Sequence, residues 1–591
     1  MKKIIYAAML FGIAITTGCD DLLDVKPGSE LTDDGFWKSE NDFKGACNKL
    51  YCDLSGWSND TRTDELARNG AIDAISSGSR TTAPGASEDD WTNPYNRIYA
   101  ANNIIEKGAD APLAEATRNR WIAEAYFFRA YHYFDLVKKY GDVPLVLKNF
   151  TSTGDEGLKM GRTPRETVIQ QCYEDLRFAA QWLPKHSSLP TTEFDRRRAS
   201  RSSALGLTVR IGLYEGTFQK YHNVNGGANA NGHLDKSIEA FEALKAEGHD
   251  LYPDFNDVFS YKNEANTNKE IIFGKAYGAN DFTTVTTGHV HTRNLEGVYA
   301  LTRNALDQFL YADGLPIDKT ALKVDVETSY NNVAGLDKDG QPLAGGKGQR
   351  DPRLLKTIWT INDPLENDDF VGWIKTGKGK YYPFDSQRPK AYPVKKAFFG
   401  SLWEQSVNNK DFTDKIIIRY AEMLISYAEA LYERDGSISN PVLDETVNKI
   451  RARAGFNVKL TNEFVTAHGL SLRDEIRRER TVELMAEGFR YDDIIRWKIA
   501  ETVLPVSIIG PICIADEMQN PSLYSDFTGR ITDGTGKIGG TFYYGQAGAY
   551  VIEFGNTRTF NPNRDYLYPI PTFEIAQSDF NIVQNPNWNN E

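Results

Sequence analysis

Apolar residues recur at helical spacing in several long segments of this chain, and that period constrains the fold more than any other feature. From Trp121 to Tyr140, the residues Ala123, Phe127, Ala130, Tyr131, Phe134 and Val137 fall on one face. Gly141 follows as a stop signal and Pro144 lies just beyond. A shorter helix is expected from Asn93 to Gly108, so the two form a hairpin. Thr163-Pro-Arg-Glu166 reads as the next start, with Pro164 at the first helical position and Glu166 able to cap; that helix runs to about Leu183. Further helices are expected over 199–222 and 235–246.

On these faces small residues alternate with aromatic ones, as in tetratricopeptide-type helical pairs, although no strict 34-residue period is present. Residues 250–415 break the pattern. They are rich in Gly, Pro, Asn and Asp, with short strand-like runs such as Glu270 to Phe273. Loops this long inside a compact chain usually carry function. Helical spacing returns over 416–434, 440–454 and 471–501, and 505–591 is again loop-rich. The expected fold is mostly α: tetratricopeptide-like pairs (about 93–246 and 416–501) with a large loop-rich insertion and a few short strands. Residues 35–591 are read as a single domain, with 250–415 and 505–591 facing the ligand.

The N-terminus sets the address. Lys2 and Lys3 precede an apolar run from Ile4 to Ile15, then Thr16-Thr17-Gly18-Cys19 and Asp20-Asp21. That run is too short to span a bilayer, which takes about 20 residues. A small residue just before a cysteine reads as a lipoprotein signal, so 1–18 would be removed, Cys19 lipidated and 19–34 left as a tether. The other cysteines are Cys47 and Cys52, on different sides of one expected helix, and Cys172 and Cys513, which pair only if the fold brings them together. No Cys-x-x-Cys zinc spacing occurs. A formal net charge of −13 argues against nucleic-acid binding. Aromatics make up 12% of residues, which suits neutral ligands that stack on rings, carbohydrate above all.

Four passages resemble the SusD/RagB family of Bacteroidetes outer-membrane lipoproteins: Ile418 to Leu431, Val447 to Gly455, Ile476 to Trp497, and Tyr566-Leu-Tyr-Pro-Ile-Pro571 with Glu574 and the ending Gln584 to Trp588. Cys19 with Leu23-Asp24 and Pro27, Tyr140-Gly-Asp-Val-Pro144, Asp313-Gly314 and Asp351-Pro-Arg353 also fit. The physics of these motifs is structural. Ala421, Leu424, Ala428 and Leu431 form a core stripe, and Trp497 reads as a packed ring. Glu422 and Glu429 share a helix face and read as members of a salt-bridge network near Arg419, Arg451 and Arg478, not as an acid/base pair. Arg477 to Arg480 reads as a charged helix face. The resemblance implies a cell-surface lipoprotein in the outer membrane. It would bind oligosaccharides and deliver them to a partner TonB-dependent transporter of the SusC type. It would need no cofactor or metal and catalyse nothing.

Sugar binding needs flat rings for pyranose faces and side chains that bond hydroxyls in both directions. The resemblance points to the stretch before the first hairpin, where Asp73, Arg80, Trp91, Asn93 and Asn96 are candidates. Trp91 stands at a helix start and reads equally as core. Loop aromatics add Tyr277, Tyr299, Trp373 and Trp403. One alternative is peptide or protein uptake on the same scaffold. A more distant one is a glycoside hydrolase, which needs two carboxylates about 5 to 9.5 Å apart. His-Glu-x-x-His and Gly-x-Ser-x-Gly are absent. Gly372 to Lys378 lacks the Ser or Thr of a phosphate loop, His289 and His291 have no third metal ligand, and Asp337-Lys-Asp-Gly340 lacks the glycine and glutamate of a calcium loop.

Overall fold

A computed structural model describes residues 35–588 apart from 83–87, 264–267, 278–287, 364–389, 403–405, 513–528 and the single positions 53, 69, 153, 193, 329, 361 and 407. The fold is mostly α. Helices α1 (Glu40–Cys52), α2 (Glu88–Ala109), α3 (Glu115–Tyr140), α4 (Arg165–Trp182), α5 (Arg201–His222) and α6 (Ala230–Lys245) come first. Successive helices pack on one another, α2 on α3, α3 on α4 and α5 on α6. Gly141 ends α3 with φ 74°, and its N–H donates to Val137 O. Two glycines set the spacing of the α5–α6 pair: a Cβ on Gly212 would stand 2.6 Å from His233 O, and one on Gly216 2.6 Å from Leu234 Cγ. The expected role of Pro164 is corrected. It sits one position before the first helical residue, and the Glu166 carboxylate accepts from Gln170 and Gln219 rather than from the helix start.

The C-terminal helices return to this stack. Helix α7 (Tyr420–Asp435) lies against α5 and α6; α8 (Asn440–Glu445), α9 (Val447–Arg453), α10 (Leu472–Glu483) and α11 (Arg490–Arg496) follow. Helices α2 and α6 each begin five residues earlier than expected, and three boundaries differ among the C-terminal elements. Residues 415–419 are a strand, because their β-branched run pairs with 271–275. The 440–454 helix breaks at Thr446. The 471–501 helix breaks after Glu483, where Ala486 (φ 62°) and Gly488 (φ 86°) take left-handed conformations.

Among the described residues nine short strands build four small antiparallel sheets. β1 (Leu66–Arg68), β3 (Tyr299–Leu301) and β4 (Tyr392–Pro393) form one; β2 (Ile271–Lys275) pairs with β5 (Lys415–Arg419). β6 (Ile508–Ile512) pairs with β9 (Ala549–Glu553), and β7 (Lys537–Ile538) with β8 (Thr541–Phe542). The largest core cluster runs from Phe43 through Phe127, Leu207 and Ile425 to Ile582, so the early helices, the late helices and the C-terminal segment share it.

Buried ion pairs join these parts. Glu422 and Glu429 do belong to salt-bridge networks, but with other partners than expected. Arg210 on α5 clamps Glu422 at 2.7 and 2.7 Å. Arg496 clamps Glu429 at 2.6 and 2.8 Å, with Trp497 Nε1 donating at 2.6 Å. Arg419 instead takes Glu270, Glu483 and Glu487, Arg451 takes Glu479, and Arg478 takes Glu475. The charged face at Arg477 to Arg480 is likewise paired, Arg477 with Glu433 and Arg480 with Asp493. Cys47 and Cys172 are buried free thiols, Cys52 Sγ donates to Asn48 O at 3.4 Å, and Cys513 lies outside the described residues.

Candidate ligand-binding site

The last turns of α3 place Asp135, Lys138 and Lys139 on one face, at spacings that bring side chains together. Lys139 Nζ donates to Asp135 at 3.0 Å and to Asp90 of α2 at 2.8 Å; Lys138 Nζ donates to Asp492 of α11 at 2.6 Å. Burial alone would raise the Asp135 carboxyl, but the two ammonium groups outweigh it and hold Asp135 at about 2. Burial would lower the Lys139 ammonium, and Asp135 and Asp90 push it up instead.

Facing α3 is the turn 73–81. Asp73 Oδ1 accepts from Ile75 N at 2.8 Å and Asp73 O from Ser77 N at 2.9 Å, the side-chain-capped turn that aspartate favours. Ser76 Oγ donates to Arg62 O at 2.6 Å and ties this turn to the 55–62 loop. Arg62 is bidentate on Asp60 at 2.8 and 2.7 Å, donates to Tyr568 Oη at 3.1 Å and lies 4.1 Å over the Tyr491 ring. Arg80 lies 4.4 Å over the Tyr568 ring and donates to Asp565 O at 2.9 Å. Tyr568 is fixed in turn by its own N–H, which donates to Lys139 O at 2.7 Å, and by Asn585, which donates to Tyr568 O at 2.8 Å.

These segments enclose a cavity of about 600 Å³ whose walls include Arg62, Asp73, Arg80, Lys138, Tyr491 and Tyr568. Three polar atoms of its lining residues have no hydrogen-bond partner among the described residues: Arg80 Nη1, Tyr491 Oη and Tyr566 Oη. Burial pushes the Tyr491 phenol well up, so its hydroxyl stays protonated. The walls thus offer guanidinium donors, phenols that donate and accept, and carboxylates that accept, a set suited to hydroxyl groups.

The candidates of the sequence reading divide. Asp73 and Arg80 line the cavity. Trp91 is 3% exposed and packs edge-on against Tyr140, so its ring is core. Asn93 and Asn96 are exposed on α2, away from the cavity walls. Tyr277 is buried, edge-on to His289, and its hydroxyl covers Gly56. Tyr299 is in β3, paired with Arg68. Trp373, Trp403, Gly372 to Lys378 and Cys19 lie outside the described residues. His289 Nε2 donates to Thr413 O, His291 stacks on Trp57 at 3.8 Å, and no metal-binding group is present among the described residues. Asp337 bonds the N–H groups of Asp339 and Gln341, closing a turn. The sequence reading missed Arg62, Lys138, Lys139, Tyr491, Asp492 and Tyr568. Tyr491 and Tyr568 stand inside the motifs quoted above, where they served recognition alone.

Comparison with known proteins agrees with this architecture. The SusD family model matches residues 257–588, and a model described as "Starch-binding associating with outer membrane" matches 22–213. SusD-like protein P38 of Formosa agariphila is 24% identical over 555 residues, covering 88% of this chain and 99% of the relative. Among solved structures, a SusD-like carbohydrate binding protein from Bacteroides fragilis superposes with a TM-score of 0.68 at 23% identity, over 92% of this chain and 99% of that one. Surface glycan-binding protein A from Bacteroides fluxus gives 0.55 at 17%, over 93% and 100%. With one family model spanning more than half of its length, the chain belongs to the SusD family.

Proposed function

We propose that this protein binds oligosaccharides at the outer membrane and passes them, uncleaved, to a SusC-like TonB-dependent transporter. The observation that carries the reading is the cavity between α3, α11 and the 73–81 turn, with its two-way hydrogen-bonding walls and its three unpartnered polar atoms. Asp73, Arg80, Arg62, Tyr491 and Tyr568 are its proposed contacts. Each is modest, so affinity falls in the micromolar to millimolar range, about 4 to 8 kcal/mol.

Several features support the rest. The Lys2-to-Cys19 signal points to a lipid anchor, and a matching family model carries outer-membrane association in its description. Among the described residues no helix is long and apolar enough to cross a membrane. Glycan cleavage needs a carboxyl held protonated beside an ionised one. Among the described residues the carboxyls pushed upward are Glu65, Asp175 and Glu475, and none of them lines the cavity. Asp135, which does, is held ionised.

Calorimetry of the purified protein against a polysaccharide panel tests the reading, with product analysis of the same mixtures. The expected result is saturable binding to at least one glycan, weakened at least tenfold by Tyr568→Ala, with no shortened product. Release of shorter sugars would refute the absence of catalysis. Affinity for oligopeptides alone would refute the glycan reading.

A further inference from the structure

We infer that the glycan bound here is acidic, and that its carboxylate or sulfate groups meet Lys415 and Arg80. This rests on the glycan-binding reading above and names the ligand class.

A cleft of about 170 Å³ adjoins the cavity and shares Asp135, Lys138, Gly488 and Asp492 with it; Lys415 and Arg210 line its far side. Most cations around the two spaces have their own carboxylate. Lys138 has Asp492, Lys139 has Asp90 and Asp135, Arg62 has Asp60, and Arg210 has Glu422. Lys415 differs. Its Nζ donates to Gly56 O at 2.7 Å, and among the described residues no carboxylate lies within ion-pair distance. Directly opposite it in the β2–β5 ladder stands Lys275, whose Nζ donates to the carbonyls of Cys52 and Leu54. Like charges facing each other across a ladder destabilise it. Burial, Lys275 and Arg210 together lower the Lys415 ammonium to about 8. Glu487, the carboxylate on that side of the cleft, is held by Arg419 at 2.8 and 2.6 Å and by Lys396 at 2.6 Å.

Gly56 lies between Ser55 and Ser58 of the cavity wall, so Lys415 reaches the same loop that bounds the main space. Arg80 is only partly compensated. Its Nη1 is buried without a partner, and Asp565, 4.0 Å away, is already held by Arg564 at 2.7 Å. A poorly solvated cation without a counter-charge is costly, and an incoming anion relieves that cost. The chain as a whole carries −13, so its general field repels acidic ligands and the attraction is local.

The test is calorimetry of the detergent-solubilised full-length protein with paired probes: oligogalacturonate against its methyl ester, and sulfated galactan oligosaccharides against the desulfated form. The acidic member of at least one pair is expected to bind about tenfold tighter, with the preference fading as salt rises. Lys415→Met lowers that affinity about tenfold and Lys415→Arg restores it. Preference in the first pair alone assigns a carboxylate ligand, and in the second alone a sulfate. Equal binding of acidic and neutral members overturns this inference and leaves the glycan reading standing. No binding by any probe or by the wider panel overturns both. Should Lys415→Met fail to fold, the wild-type pairs still decide.

Discussion

Replacing Glu429 by Gln should destabilise the protein by about 3 to 5 kcal/mol, the cost of breaking a buried ion pair from one side. Glu429 is 1% exposed and accepts three hydrogen bonds, two from Arg496 and one from Trp497. Gln keeps one acceptor, but it loses the charge and turns an N–H₂ toward a guanidinium. A second route gives a similar size. Burial would raise the Glu429 carboxyl, yet Arg496, Arg480 and Arg477 bring it to about 2, from 4.5. At about 1.4 kcal/mol per unit, that depression is worth about 3 kcal/mol. A depressed carboxyl contributes its stability fully above its unfolded pKa. The contribution is therefore complete above pH 4.5 and lost as pH falls toward 2. Urea denaturation of wild type and Glu429→Gln at pH 7 and pH 3 measures both. The gap should be large at pH 7 and clearly narrower at pH 3. Because α11 carries Tyr491, Asp492 and Ile495 to the cavity, ligand affinity should fall with the clamp. A gap below about 1 kcal/mol at pH 7, or one unchanged by pH, would refute the reasoning.

Other sites give independent checks. Gly212→Ala should lower the midpoint of thermal unfolding, at a cost of about 1 to 3 kcal/mol, since the new methyl meets backbone atoms of α6 at 2.6 and 2.7 Å; scanning calorimetry reads it. Glu65, buried and accepting from Ala486 N, is raised to about 8 by burial. Its folded pKa exceeds its unfolded one, so it costs stability as pH rises from about 4.5 to about 8, by about 1.4 kcal/mol per unit. Glu65→Gln should therefore stabilise at pH 8 far more than at pH 4, as denaturant midpoints would show. Burial also pushes the Cys47 and Cys172 thiols well up, so peptide mapping after maleimide labelling of the native protein should find Cys52, the partly exposed one, modified ahead of both.

The cavity shows where sequence reasoning stops. Asp73 and Arg80 are reached through the family resemblance, which points to the stretch before the first hairpin. Tyr568 is not, because nothing local joins position 568 to position 80; only the packing of the C-terminal segment on α3 stacks the two side chains. By sequence, Trp91 is open between site and core. Its position at a helix start leaves burial open, and the Tyr140 ring, brought in by the α2–α3 hairpin, closes over it.

The helices themselves follow from the sequence. A period of 3.6 is a local property, and Gly141 or Ser200 stops or starts a helix through its own backbone and side chain. Family membership is equally local, a set of ordered motifs. Partner choice is not. With 81 acidic and 68 basic residues, no spacing rule says that Glu422 takes Arg210 rather than Arg419, and the distance of 2.7 Å exists only once α5 and α7 meet. Strand β5 shows the same limit. Its apolar run suits a buried helix as well as a strand, and the edge offered by Ile271–Lys275 decides between them. That pairing also sets Lys275 against Lys415, which makes the charge of the ligand a question of tertiary structure.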